Sequence, residues 1–150
     1  MTMQEMDMKD VQIGCPHCHA VNRLEAARLN EAPNCGACKA PLLAGGPIAA
    51  TKESLPLILK HSKLPVVIDF WAPWCGPCQQ FGPTFAAAAK DMAGKMLFVK
   101  IDTEAQPELG NQFRVRSIPT LLVVEGNAEL ERVSGALSPG QFKAWLMQFL

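Results

Sequence analysis

The sequence predicts an α/β fold for residues 47–150, a central mixed sheet covered by helices on both faces, with a small metal-organised module ahead of it over residues 1–46. Three observations carry this. From Ile48 onward, short apolar runs rich in β-branched residues alternate with stretches of helical periodicity, in the order β-α-β-α-β-α-β-β-α. Before them, two C-x-x-C pairs, Cys15/Cys18 and Cys35/Cys38, stand sixteen residues apart, within the spacing of a four-cysteine zinc site. A third pair, Cys75/Cys78, falls where a strand pattern gives way to a helical one.

Composition narrows the classes of function. A hydrophobic content of 49% in 150 residues is enough for a packed core. Lys plus Arg and Asp plus Glu balance at 14 each, so no field draws in nucleic acid or an anionic membrane, and proteins are the expected partners. The first ten residues hold Glu5, Asp7 and Asp10 and no apolar block, which argues against a secretory signal. No stretch approaches the ~18 apolar residues of a membrane span. A cytoplasmic location is therefore expected, and there three C-x-x-C pairs point to metal and redox chemistry instead of a disulfide framework.

Taken in order, residues 1–12 read as a polar, Met-rich tail, closed by a short strand at Val11–Gly14. Cys15-Pro16-His17-Cys18 and Cys35-Gly36-Ala37-Cys38 follow as two tight turns clasping one ion, with short strands between, a zinc ribbon. So short a module buries too little apolar area to order itself, and zinc supplies the missing folding free energy. His17 and His19 are expected to be non-ligands, because four thiolates complete a tetrahedron, and Lys39 and Arg23 to offset part of the net negative charge. Gly45-Gly46-Pro47 reads as a hinge that lets the two parts uncouple.

Beyond the hinge, Ile48–Ala50 reads as an edge strand, and Ser54 with Pro56 opens a short helix carrying Leu55, Ile58 and Leu59, stopped at Leu64-Pro65. Val66–Trp71 is a buried strand ended by Pro73. The helix from Cys75 carries Phe81, Phe85 and Met92 at helical spacing, with a kink expected at Pro83. Met96–Asp102 is the next strand, and Pro107 opens a helix with Leu109 and Phe113 inside. Strands Thr120–Val124 and Leu130–Val133 flank a Gly126-Asn127 hairpin turn. In the closing helix Ser138 is the cap, Pro139 takes the first position, and Phe142, Trp145, Leu146 and Phe149 form the apolar face.

The strand-to-helix turn carries the chemistry. Cys75 sits at a helix N-terminus, where unsatisfied amides and the helix dipole favour a thiolate, and Cys78 stands one turn along the same face, more shielded. Cys75 is thus the expected nucleophile and Cys78 the resolving thiol, with Gly76-Pro77 keeping the turn compact. Asp69 shares a strand face with Val67 and Trp71. It is open to two readings, an edge-exposed or hydrogen-bonded carboxylate, or a buried one with raised pKa that exchanges a proton with Cys78. Trp74 is expected to be exposed as docking surface and Trp71 packed.

W-C-G-P-C after a strand bearing Asp69, with Ile118-Pro119-Thr120 and Gly135-Ala136-Leu137 downstream, resembles the thioredoxin family over roughly residues 47–150. With the zinc-type cysteines ahead, the chain is similar to the second bacterial thioredoxins, which carry an N-terminal zinc module. The resemblance implies a thioredoxin fold and a protein-disulfide reductase that cycles Cys75 and Cys78 between dithiol and disulfide. It further implies that Lys100 tempers Asp69, that Pro119 is cis against the sulfurs, and that Ile118 offers backbone hydrogen bonds to an extended substrate. Trp74, Gly76, Pro77, Ile118, Pro119, Gly135 and Ala136 would form the docking patch, although Gly135 also reads simply as a turn. One structural zinc, no organic cofactor, and electron transport from an NADPH-dependent thioredoxin reductase to disulfide-containing proteins are implied as well. An oxidase or isomerase is disfavoured by the central dipeptide. From another class stands a redox-sensing interaction protein whose ribbon releases zinc on oxidation and sets partner choice.

Overall fold

The computed structural model describes residues 10–15, 18, 20–25, 33–40, 42, 47–62, 64–92, 95–126 and 128–150. The tail ahead of Asp10, His17 and His19, the Gly45-Gly46 hinge and Asn127 of the hairpin turn lie outside the described residues. Strands β1 (Asp10–Gly14) and β2 (Val21–Glu25) pair antiparallel, from Asp10 opposite Glu25 to Gly14 opposite Val21. The second sheet holds β3 (Ile48–Ala49), β4 (Val66–Trp71), β5 (Leu97–Asp102), β6 (Thr120–Glu125) and β7 (Ala128–Ser134), in the order β3-β5-β4-β6-β7. β3 and β4 run parallel to β5, whereas β6 is antiparallel to β4 and to β7, so the sheet is mixed as expected.

Among the described residues, four helices cover it: α1 (Ser54–His61), α2 (Gly76–Asp91), α3 (Pro107–Gln112) and α4 (Pro139–Met147). α4 starts as its sequence dictates. The Ser138 hydroxyl accepts from Gln141 N and the Gln141 side chain accepts from Ser138 N, a capping box worth about 1 kcal/mol. α1 differs, since Ser54 is its first residue and Glu53 its cap position, without a side-chain cap bond. The hydroxyls of Thr51 and Ser54 instead accept from each other's amides at 3.1 and 2.8 Å. α2 continues through Pro83.

Alternation along the strands divides the core. Val66, Ile68 and Phe70 pack with Val99, Ile101, Leu122 and Val124 under Leu55 and Ile58 of α1 and Leu109 of α3. Val67, Phe98, Leu121 and Val123 face the other way, under Phe81 and Phe85 of α2 and Phe142, Trp145 and Leu146 of α4. There the rings meet edge to face, Phe81 on Phe142 at 5.0 Å and Phe85 on Phe98 at 5.3 Å. The cysteine module lies against the first of these layers. β1 packs along α1, and Leu24 and Leu42 belong to the same apolar cluster as Ile48, Leu55 and Ile58. No helix among the described residues is long and apolar enough to cross a membrane.

Candidate active site and metal centre

β4 delivers the redox pair. After Trp71 the chain turns through Ala72 and Pro73, and Cys75 becomes the N-cap of α2, its sulfur accepting the Cys78 amide at 3.2 Å. Cys75 and Cys78 are joined as a disulfide. The expected contrast in shielding is absent in this oxidised form: the two residues are 5% and 4% exposed, because each sulfur is covered by the other and by Ala72, Trp71 and Ile118. What separates them is position, with Cys75 at the cap and its Sγ 3.8 Å from the Ile118 carbonyl oxygen.

The Ile118–Pro119 bond is cis, and Gly135 N donates to the Pro119 carbonyl at 2.8 Å, which brings Gly135 and Ala136 to the same surface. Gly135 has φ +103°, a conformation that side chains with a Cβ rarely adopt. Trp74 is 71% exposed, whereas Trp71 is half-buried. Gly76 and Pro77 are exposed at the start of α2. A groove of about 290 Å³ runs from Trp74 and Ile118 past Thr103, Asn111 and Arg116. Sequence reasoning missed it, since its walls come from three separated segments and carry no motif.

Asp69 resolves toward the buried reading. It is 1% exposed, and neither carboxyl oxygen has a hydrogen-bond partner among the described residues. Burial pushes its carboxyl up to about 7, against the opposing pull of the Lys100 ammonium. β-sheet register explains the pairing, because Asp69 on β4 lies beside Lys100 on β5. Lys100 Nζ sits 4.5 Å from the centre of the Trp71 ring, a cation–π contact with no sequence signature because it crosses strands.

In the module, Cys15, Cys18, Cys35 and Cys38 bring four sulfurs within 4.8 Å of one another. Cys15 lies 3.5 Å from Cys38 and Cys18 3.6 Å from Cys35. A tetrahedral ion with sulfur arms of ~2.3 Å has edges of about 3.8 Å, so the cluster fits zinc. Each turn points amides at its first sulfur, Cys18 N at Cys15, and Ala37 N and Cys38 N at Cys35. The Cys38 amide, then the Asn22 side chain, pull the Cys35 thiol down to about 6. At Cys18 the Ala20 backbone favours the thiolate, yet desolvation and the neighbouring sulfurs push the thiol up to about 12. Four thiols this close cannot all ionise without a cation among them. Lys39 places its ammonium on the Gly36 carbonyl at 2.9 Å.

Known proteins match this arrangement over most of the chain. The family pattern described as Thioredoxin matches residues 46–148, and that described as Thioredoxin 2, N-terminal, matches residues 14–40. Thioredoxin C-3 of Corynebacterium nephridii is 44% identical over 138 residues, covering 92% of this chain and 94% of its own. Putative thioredoxin 2 of Streptomyces coelicolor is 44% identical over 90 residues, 60% of this chain and 66% of its own. Among solved structures, chloroplastic thioredoxin z superposes with TM-score 0.64 at 28% identity, over 69% of this chain and 94% of that one. From its redox turn, its mixed sheet and these relatives together, the chain belongs to the thioredoxin family of thiol–disulfide oxidoreductases, with a zinc-ribbon domain ahead of the redox domain.

Proposed function

We propose that the protein reduces disulfides in other proteins through Cys75 as nucleophile and Cys78 as resolving thiol. The observation that carries the reading is the position of Cys75 as the cap of α2, beside the Ile118 carbonyl. In the reduced protein, the Cys75 thiolate attacks one sulfur of the substrate disulfide, whose S–S bond breaks as a mixed disulfide forms and one substrate thiolate leaves. Cys78 then gives its proton to Asp69 and attacks the Cys75 sulfur, closing the Cys75–Cys78 bond and expelling the second thiolate. Two electrons pass to the substrate, whose two thiolates take up protons. A carboxyl near 7 suits this exchange at neutral pH, and Lys100 keeps it from rising further.

An extended substrate segment pairs with the Ile118 backbone beside Pro119, over the open surface of Trp74, Gly76, Pro77, Gly135 and Ala136. Cys15, Cys18, Cys35 and Cys38 hold zinc, which when bound cross-links the two turns of the ribbon. An NADPH-dependent thioredoxin reductase regenerates the dithiol, and the setting is the cytoplasm. Insulin reduction coupled to NADPH and thioredoxin reductase tests the reading, run with and without a zinc chelator. NADPH oxidation that depends on Cys75 is expected in both arms at room temperature. No turnover with reductase, despite direct reduction of insulin by the chemically reduced protein, would remove the reductase from the account.

A further inference from the structure

We infer that Asn22 is a positioning residue for the metal centre, clipping the second cysteine turn to the first and hydrogen-bonding the Cys35 thiolate; this rests on the reading that the four cysteines hold zinc. Asn22 lies on β2 opposite Ile13, two residues beyond Ala20. Its Nδ2 donates to the Ala20 carbonyl at 3.1 Å and to Cys35 Sγ at 3.5 Å. Its Oδ1 accepts the Gly36 amide at 2.9 Å. The Ala20 carbonyl also receives the Cys15 amide, at 2.9 Å. One carboxamide thus touches the backbone of the first turn and both the sulfur and the backbone of the second.

Apart from the Cys18 sulfur, a fellow member of the cluster 3.6 Å away, the other partners of Cys35 Sγ among the described residues are amides of its own turn, so Asn22 is the group outside the cluster that ties that sulfur to β2. Four thiolates around one divalent ion leave a net negative charge, and an N–H on sulfur offsets part of it without adding a cation. The bond lowers the nucleophilicity of Cys35 and holds its sulfur in place before metal arrives. Partners outside the ligand shell act in this way at metal sites generally. Asn22 is half-buried and Cys35 buried, so water does not substitute freely for the carboxamide. An aspartate at this position would keep the acceptor for Gly36 but set oxygen against the Cys35 sulfur and the Ala20 carbonyl.

The test uses the full chain loaded with zinc, and reads zinc release to a chromophoric chelator for the unaltered protein, Asn22→Ala and Asn22→Asp. A second reading takes the thiolate-to-metal charge-transfer band of the cobalt-loaded forms. Release should accelerate about 10- to 100-fold in Asn22→Ala and further in Asn22→Asp, with a shifted cobalt band and unchanged insulin reduction. Where Asn22→Asp loses its metal during purification, Asn22→Ala, which adds no charge, carries the test. Acceleration of less than about tenfold in Asn22→Ala, or an unshifted band in the variant that still holds cobalt, overturns the inference. An unaltered chain that holds no zinc at all would instead overturn the underlying metal reading.

Discussion

Replacing Asp69 with asparagine should stabilise the protein, and by more as the pH rises. The carboxyl moves from its ordinary 3.8 to about 7 on burial, and each pH unit between those values costs folding about 1.4 kcal/mol, about 4 kcal/mol in all. Because the folded value is the higher one, the folded chain holds the proton more tightly. Stability is therefore full below pH 3.8, falls as pH climbs toward 7, and is level above it. The Asp69→Asn variant has no such proton. Urea unfolding of both oxidised proteins from pH 5 to pH 8.5 should show the variant's advantage growing by about 3 kcal/mol across that range, whatever the offset at the acid end. Referring each point to the unaltered protein cancels the pH dependence of the zinc site. The same variant should break down mixed disulfides more slowly at neutral pH, so stability and rate move in opposite directions. An advantage that does not change with pH would mean that Asp69 is ionised at little cost, and the proton-exchange role would fall with it.

Lys100→Met removes the ammonium that opposes burial at Asp69, so the carboxyl should titrate higher and the pH profile of mixed-disulfide breakdown should shift to higher pH; an unmoved profile would uncouple the two residues. Chelating zinc should unfold the ribbon and also lower the melting temperature of the redox domain. Leu24 and Leu42 share its apolar cluster, and uncovering their contacts is worth about 2–3 kcal/mol, roughly 5–10 °C for a chain of this size. A redox-domain melting temperature indifferent to chelation would favour the independent folding that the Gly45-Gly46-Pro47 stretch suggests.

The sequence made legible what local chemistry controls. Val66–Trp71 is apolar but for Asp69 and appears as β4 with those bounds. Pro77 in the first turn and the spacing of Phe81 and Phe85 place α2, and the two outer C-x-x-C pairs place the cysteine cluster. What crosses between elements was not legible. Lys100 reaches Trp71 only because β4 and β5 align Asp69 with Lys100, and Asn22 reaches Cys35 only after β2 folds over the second turn. β7 extends from Ala128 to Ser134, beyond the expected Leu130–Val133 span, because an exposed edge strand with Glu129, Glu131 and Arg132 is held by its ladder to β6 and not by an apolar face. The packing of β1 on α1 was hidden for the same reason, since a glycine-rich connection reads as a hinge whether or not its two sides touch.

The nucleophile assignment is tested most directly by trapping. Reduced Cys78→Ser protein, mixed with a disulfide-containing substrate, should accumulate a mixed disulfide at Cys75, identified by intact-mass and peptide analysis, because attack remains and only resolution is lost. Cys75→Ser should accumulate none and reduce nothing. Trapping through Cys78 in the Cys75→Ser variant, with none in Cys78→Ser, would invert the two roles and contradict the placement of the reactive thiolate at the cap of α2.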